Sequence, residues 1–245
     1  MDIGIERQMI LGIYGYQDAG KTKLVESLVT ALVKRGLSVA SVKHTPHSKS
    51  IDCEGKDTWR HWVAGSDPVV FSSNVETSII KHSKMRMDDI ANMVMLQFAP
   101  DVLIIEGCKD GSFPKVAIGG VRPRKGTVLV NPKLSKLVDY VADEVAVERV
   151  LEELPGLDCG KCGLDCNRLA RQIAAGKRKL ANCRELSDLN VKVMVDGDRI
   201  ATGRFVSSLV DDTVRGMLGS LKGYRPGKTV EIRLEPKRKK SRKHR

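Results

Sequence analysis

Residues 15–22, GYQDAGKT, match G-x-x-x-x-G-K-[ST], a pattern typical of loops that bind phosphate chains. A phosphate chain needs many hydrogen-bond donors in a small space, and backbone N–H groups supply them where glycine lets the chain curl. The apolar run at 9–15 precedes the loop, and a helical pattern begins near Lys21, whose helix N-terminus adds further unpaired N–H groups. An incidental glycine turn is the alternative, and the complete match between strand and helix disfavours it.

The residue types in this loop predict individual roles. Lys21 is expected to reach the β- and γ-phosphates of a nucleotide, and the hydroxyl of Thr22 to bind Mg²⁺. The motif does not identify the base. The residues predicted to bind the nucleotide are Gly15, Tyr16, Gln17, Asp18, Ala19, Gly20, Lys21, Thr22 and Lys23.

A second strand supplies an acid for the same site. Magnesium–nucleotide sites usually have a carboxylate at the end of a second buried strand, and DVLIIEG (101–107) places Glu106 directly after four apolar residues. Glu106 is expected to hold Mg²⁺ through a water molecule or to position an attacking water. The alternative is that Glu106 is only the polar end of a strand.

Four of the six cysteines form a cluster, Cys159, Cys162, Cys166 and Cys183, with the spacing C-x2-C-x3-C-x16-C. Three sulfurs from a Gly-rich loop and a fourth from beyond a helix can surround a [4Fe–4S] cluster. Zinc is the main alternative, although structural zinc sites more often use two C-x2-C pairs; unligated thiols are a third. A cluster here could transfer electrons, sense oxygen or hold the C-terminal part together, and the sequence leaves these roles open.

The elements that position these residues follow from hydrophobic periodicity. Strand and helix patterns alternate over residues 9–131, which favours an α/β fold with a mostly parallel sheet and helices on both faces. This is the arrangement of P-loop NTPases. Strands are predicted at 9–15, 37–45, 68–74, 77–83 and 101–107 and twice more before residue 131, and helices at 22–35, 57–64, 87–98 and about 140–154.

The C-terminal part predicts a small α+β unit after the cysteine-rich segment. This unit is predicted to contain a hairpin turned by Asp196-Gly197, a helix with an apolar stripe over 206–221, and a last strand at 228–235. We expect the apolar stripe to pack in a core. The predicted domains are 1–145 for nucleotide binding, 155–185 for the cysteine-rich segment, 189–235 for the α+β unit and 236–245 for a disordered basic tail.

Charge and composition limit the classes of partner. The net charge is +12, and the seven Lys and Arg residues of the last ten positions account for most of it, leaving +5. Such a block can contact phosphates or anionic lipid, but a solubilising tail is the simpler reading, so nucleic acid is not expected as a partner. No run of 18 apolar residues occurs and the N-terminus does not resemble a signal peptide, so a cytoplasmic protein without a membrane span is predicted.

Three segments together resemble the molybdopterin-guanine dinucleotide biosynthesis protein B (MobB) family: GYQDAGKTKL, VKHTPHSKSIDCEGKD and DVLIIEGCKDGSFPKVAI. The resemblance covers residues 8–145. It departs from the family pattern at Pro46, Ser48 and Lys23, and at the end of the AIGG strand, where an arginine is expected and Arg122 and Arg124 stand close by. The residues that carry it are Lys43, His44, Thr45, His47, Asp52, Gly55, Lys56, Asp57, Glu106, Gly107 and Lys109.

The resemblance implies that the protein binds GTP with Mg²⁺, hydrolyses it weakly, and supports the guanylyltransferase that attaches GMP to molybdopterin in molybdenum cofactor biosynthesis. Molybdopterin or that enzyme is then the expected partner, and a homodimer is left open. The resemblance also implies that Asp52 and Asp57 lie near the phosphates and metal, which makes Asp57 a candidate catalytic residue beside Lys21 and Glu106, and that Lys109 lies near an anionic ligand. The LPGLDCGKCGLDC segment resembles four-iron cluster domains of some membrane electron-transport subunits and of archaeal corrinoid iron–sulfur proteins.

Two functions of other classes remain open at this stage. One is a redox-linked P-loop ATPase, in which nucleotide turnover is coupled to the iron–sulfur cluster. The other is a phosphate-binding module that attaches to nucleic acid through the basic tail.

Overall fold

The computed structural model describes residues 9–186, 191–195 and 198–232. The elements in chain order are β1 (Met9–Gly15), α1 (Lys21–Lys34), β2 (Val39–Lys43), α2 (Asp57–Val63), β3 (Val69–Ser72), β4 (Thr77–Ile80), α3 (Met87–Phe98), β5 (Val102–Glu106), β6 (Lys115–Ile118), β7 (Thr127–Val130), α4 (Leu134–Glu153), α5 (Cys166–Ala174), a 3₁₀ turn (Leu180–Asn182), β8 (Val193–Val195), β9 (Asp198–Ile200) and α6 (Arg204–Gly219).

The central sheet has five strands in the order β2-β5-β1-β6-β7, and all of its strand pairs are parallel. Side chains of a strand alternate between the two faces. On β5, Val102 and Ile104 therefore pack with α1 and α4 on one face, whereas Leu103 and Ile105 pack with α3 on the other. The prediction of a parallel sheet with helices on both faces is confirmed.

Insertion of β5 between β1 and β2 creates the point where functional residues meet. The chain leaves β1 through α1 to β2 on one side, and reaches β6 and β7 on the other. In open α/β sheets ligands bind outside the carboxyl ends of the strands at such a switch in strand order. That edge of this sheet carries Gly15, Lys43 and Glu106, the last residues of β1, β2 and β5.

Helix α4 is longer than predicted and joins two cores. Its apolar stripe starts at Leu137 rather than near residue 140, and its first half packs on the central sheet. Its second half, through Val147 and Leu151, packs with α5 and Cys183 instead. Because Arg149 contacts Asp101 at the amino end of β5 (2.6 Å), the second half of α4 lies at the sheet edge opposite Gly15.

The two strands predicted at 68–74 and 77–83 exist but lie outside the central sheet. β3 and β4 pair only with each other among the described strands, as an antiparallel hairpin. Only a short connection, residues 73–76, separates them, and such a connection permits antiparallel pairing, whereas a parallel pair needs a crossover of a dozen residues or more.

The C-terminal unit contains the antiparallel pair β8–β9 and helix α6. The apolar stripe of α6 is not packed into a core of the described residues as expected, since Val206, Leu209 and Met217 are about half exposed. No strand occurs from residue 228 to 232, and the rest of that predicted strand, the Asp196-Gly197 turn and the tail lie outside the described residues. Within the described ranges, no helix is both long and apolar enough to cross a membrane.

Candidate functional site

The glycine-rich loop connects β1 to α1 at the carboxyl edge of the sheet. Gly20 stands at the helix N-cap with φ +81°, a conformation that glycine adopts without strain, and no side chain caps the helix. Of the N–H groups of residues 17–22, only that of Ala19 has a recorded acceptor in the described structure, the carbonyl of Tyr16 at 3.4 Å. The loop therefore presents several unpaired donors beside a helix N-terminus, which suits an anion.

Lys21 folds over the start of the same loop. Its Nζ donates to the carbonyl oxygens of Gly15 (3.2 Å) and Tyr16 (2.5 Å). The ammonium group thus lies over the first two loop residues, and it is satisfied there by neutral acceptors. An anion placed against the loop amides would offer this ammonium a stronger, charged acceptor.

Thr22 and Glu106, predicted to act together, are in direct contact. The Thr22 hydroxyl donates to Glu106 Oε1 (2.9 Å), although 84 positions separate the two residues. The sheet register aligns Glu106 with Ile13 on one side and Lys43 on the other, and Lys43 forms an ion pair with the same carboxylate oxygen. Glu106 is 6% exposed, so its charge is buried and balanced by this ammonium.

Gly107 lets the ends of the strands approach closely. It adopts φ +94°, and a Cβ atom there would lie 2.4 Å from the backbone oxygen of His44. Its N–H donates to the carbonyl of Ile13 (2.9 Å), and the N–H of His44 donates to the carbonyl of Glu106 (2.8 Å). These bonds hold the carboxyl ends of β1, β2 and β5 together and fix the backbone of Glu106.

Asp57 is not brought to this cluster within the described structure. It starts α2 with an exposed side chain, and its recorded ionic partner is Arg60 at 3.7 Å. No contact of Asp57 with Thr22 or Glu106 is recorded among the described residues. Its assignment to the metal stays a prediction.

The Asp52 side chain is buried and contacts residues of α2 and of the segment after β4. Its Oδ1 accepts from the Thr58 hydroxyl (2.7 Å), and its Oδ2 lies 3.2 Å from His82 Nε2. The His82 ring stacks on Trp62, with 4.1 Å between ring centroids. His82 could not be predicted as the partner of Asp52, because a lone histidine has no recognisable sequence spacing to that residue.

A basic cleft adjoins the loop. It has a volume of about 380 Å³, and cationic side chains from two loops reach it. Arg124 forms an ion pair with Asp110 (2.8 Å). The residues that line the cleft are Tyr14, Gly15, Tyr16, Gly107, Lys109, Val121, Arg122, Pro123 and Arg124.

Three of the four clustered cysteines share one apolar core. Cys183 is buried, and Cys162 and Cys166 pack against the same cluster as the second half of α4. Burial raises the pKa of the Cys166 thiol. Cys159 is exposed, outside this core.

The loop that carries these cysteines is held by specific backbone contacts. The N–H of Cys166 donates to the Asp158 carboxylate (2.7 Å), and Arg178 donates to the carbonyl of Cys162 (3.1 Å). Among the described residues, no three Cys, His, Asp or Glu side chains are close enough together to hold a metal ion. The donor set suits an iron–sulfur cluster or zinc, and binding would require the four cysteines to move closer together, the exposed Cys159 included.

A family model described as "Molybdopterin guanine dinucleotide synthesis protein B" matches residues 10–143, more than half of the chain. A second model, described as "Putative Fe-S cluster", matches residues 154–184. The first match contains the loop, Lys43 and Glu106, and the second contains all four clustered cysteines. Residues 144–153, the second half of α4, lie between the two matches.

Proteins similar to this chain are named as molybdopterin-guanine dinucleotide biosynthesis adapter proteins or MobB. A Methanocaldococcus jannaschii protein named "Putative molybdopterin-guanine dinucleotide biosynthesis adapter protein" is 27% identical over 236 residues, which cover 92% of this chain and 97% of that protein. A Haemophilus influenzae protein named "Molybdopterin-guanine dinucleotide biosynthesis adapter protein" is 33% identical, over a stretch that covers 44% of this chain and 62% of that protein. A crystal structure of Bacillus subtilis MobB aligns with a TM-score of 0.44 at 22% identity, covering 56% of this chain and 97% of that one.

Proposed function

The chain belongs to the molybdopterin guanine dinucleotide synthesis protein B family, and we propose that it binds GTP with Mg²⁺ as an accessory protein of molybdopterin guanine dinucleotide formation. The observation that carries the proposal is a loop of unpaired amides directly beside the Thr22–Glu106 contact. Phosphate binding and metal binding need these two features side by side.

Binding of the triphosphate would begin with Lys21. Its ammonium leaves the carbonyls of Gly15 and Tyr16 for the β- and γ-phosphates, exchanging neutral acceptors for charged ones. The loop amides and the N-terminus of α1 take the remaining phosphate oxygens. Preference for GTP over ATP is part of the proposal and rests on the family.

The donors near Thr22 fit a magnesium ion. A hydroxyl and a carboxylate are oxygen ligands of the kind that Mg²⁺ prefers. The Lys43 ammonium contacts Glu106 Oε1, which shows that a positive charge is favourable beside this carboxylate. Thr22 and Glu106 would hold the ion, directly or through water. When bound, Mg²⁺ would neutralise charge on the phosphates.

We expect the protein to hydrolyse GTP slowly. A general base must take a proton from the attacking water, and the Glu106 carboxylate is already paired with the Lys43 ammonium. The Thr22 hydroxyl also donates to this oxygen, so both contacts occupy the atom that would have to accept the proton. We therefore propose that GTP binding, rather than rapid turnover, is the contribution of this domain.

A direct test uses the full chain with a purified molybdopterin guanylyltransferase, molybdopterin and MgGTP, and measures the guanine dinucleotide formed. We expect the chain to increase product formation at limiting GTP. Arg35→Ala, which removes an exposed cation at the far end of α1, should retain the increase. No increase at any ratio of chain to enzyme would contradict the accessory role.

The four cysteines, Cys159, Cys162, Cys166 and Cys183, are proposed to hold an iron–sulfur cluster, [4Fe–4S] in type, with zinc as the alternative. The apolar core that contains three of them lies on α4, at the sheet edge opposite the phosphate loop. β1 alone, with seven residues, separates the two edges by about 20 Å. A role in stabilising the C-terminal half of the chain fits this separation better than contact with the nucleotide.

Metal analysis of anaerobically purified protein tests the cluster. Cys183→Ser should abolish bound iron, inorganic sulfide and visible absorbance. Cys108→Ser is the matched control because Cys108 is equally buried but belongs to the core beneath α3. Cys183→Ser should lose more stability than Cys108→Ser because it also loses the cluster, and equal iron content in the two would contradict the cluster.

A further inference from the structure

We propose that the basic cleft beside the phosphate loop binds a second anionic ligand, a small phosphate monoester, next to the terminal phosphate of the nucleotide. The inference rests on the proposed nucleotide site for this relative placement. The cleft itself is defined by its own side chains and can be tested without nucleotide.

The position of Lys21 shows which end of the nucleotide the cleft adjoins. The lysine of such loops reaches the β- and γ-phosphates. Here its ammonium lies over the carbonyls of Gly15 and Tyr16, and both residues also line the cleft. A ligand in the cleft would therefore lie at the γ-phosphate end, away from the α-phosphate.

The charge of the cleft favours an anion. Lys109, Arg122 and Arg124 contribute three cations, and Asp110 balances only Arg124. No acidic partner of Lys109 or Arg122 is recorded within the described residues. A guanidinium matches a phosphate group with two parallel hydrogen bonds, and an ammonium supplies a point charge. Lys109 and Arg122 are thus the groups available to a phosphate monoester.

Hydrogen bonds hold the Tyr14 and Arg124 side of the cleft in place without a ligand. Tyr14 is buried, and its hydroxyl accepts from the N–H of Arg124 (2.8 Å) and shares a hydrogen bond with the Thr127 hydroxyl (2.7 Å). Thr127 in turn donates to the carbonyl of Arg124 (2.7 Å). These bonds fasten the loop that carries Arg122 to the end of the sheet, so little ordering is needed on binding.

The size of the cleft limits the ligand. Its volume of about 380 Å³ lies at the lower end of the range of small-molecule sites, roughly 300–1,000 Å³. A phosphate monoester with a compact ring system fits a site of that volume. The exposed ring of Tyr16, which lines the cleft, offers an apolar surface for such a ring.

The experiment measures binding of phenyl phosphate to the full chain by calorimetry, alone and with saturating Mg²⁺ and a non-hydrolysable GTP analogue. Arg122→Ala should weaken phenyl phosphate about tenfold, because a charge-assisted contact of about 1.5 kcal/mol is lost. Lys125→Ala removes an exposed cation three positions away, outside the lining of the cleft, and should change the affinity less than twofold.

The outcomes separate the cleft from the nucleotide site. Equal phenyl phosphate affinity of the Arg122→Ala and Lys125→Ala variants would overturn the inference. Displacement of phenyl phosphate by the GTP analogue would also overturn it, because the probe would then occupy the phosphate loop. If the unaltered chain binds phenyl phosphate in an Arg122-dependent way but no nucleotide, the cleft stands and the proposed function fails.

Discussion

Replacement of Gly107 by alanine tests whether the site depends on close approach of β2 and β5. The new Cβ would lie 2.4 Å from the His44 carbonyl oxygen, a backbone atom that cannot rotate away. The positive φ costs an L-residue about 1–2 kcal/mol, and forcing packed backbone apart adds about 1–3 kcal/mol. The expected loss in unfolding free energy is therefore about 2–5 kcal/mol.

Gly120→Ala is the matched control. Gly120 also has a positive φ, +73°, but nothing lies within 4 Å of an added Cβ. It should cost only the conformational part, about 1–2 kcal/mol. Urea unfolding followed by tryptophan fluorescence reports on this domain, since both tryptophans, Trp59 and Trp62, lie on α2.

A functional effect should accompany the loss of stability. Displacement of His44 pulls on the backbone of Glu106, because the two are joined by a hydrogen bond of 2.8 Å. MgGTP affinity should therefore fall in Gly107→Ala under conditions where the variant is fully folded, and stay unchanged in Gly120→Ala. Equal stability and equal affinity of the two variants would refute the argument from close approach.

Two further predictions concern charged groups. Glu106→Gln should lower GTP affinity about tenfold in Mg²⁺ and much less in EDTA. The reason is that the amide keeps an oxygen for the Thr22 hydroxyl but loses the negative charge. Calorimetry measures both affinities, and equal losses in the two conditions would exclude a role of Glu106 in metal binding. Burial raises the pKa of the Asp101 carboxyl, but hydrogen bonds from Arg149 and Ser38 outweigh burial and hold that pKa below its ordinary range. This stabilisation is complete at neutral pH and is lost progressively as pH falls below about 4 and through the lowered pKa. Asp101→Asn should therefore destabilise the protein at pH 7 by about 1–2 kcal/mol, and by progressively less as the pH of the urea titrations is lowered below about 4.

The local structure of the proposed phosphate site could be predicted from sequence because its residues are contiguous. Residues 15–22 carry their own spacing, and the flanking strand and helix follow from periodicity. Glu106 and Thr22 were also expected near each other, since both were predicted to hold the same Mg²⁺, although their direct hydrogen bond was not predicted. The pairing of Lys43 with Glu106 was not expected, because it depends on β5 lying between β1 and β2, and strand order leaves no trace in local periodicity.

Longer-range packing explains the remaining differences. The short apolar runs of β3 and β4 look the same in a hairpin beside the sheet as in strands within it, so their exclusion from the sheet was not foreseen. The stripe of α6 predicts an apolar face, but periodicity does not state which surface covers it. Likewise, the cysteine spacing predicts a ligand set but cannot reveal that Cys159 lies apart from the core that holds Cys183.

The most direct test of the central claim is calorimetric titration of GTP and of ATP, each with Mg²⁺, into the intact chain and into Lys21→Ala. Lys34→Ala, which removes an exposed lysine at the other end of the same helix, is the matched control. We predict preference for GTP and a loss of at least about 2 kcal/mol in Lys21→Ala, roughly a thirtyfold weaker affinity, with no change in Lys34→Ala. Equal GTP affinity of the intact chain and Lys21→Ala would contradict the account.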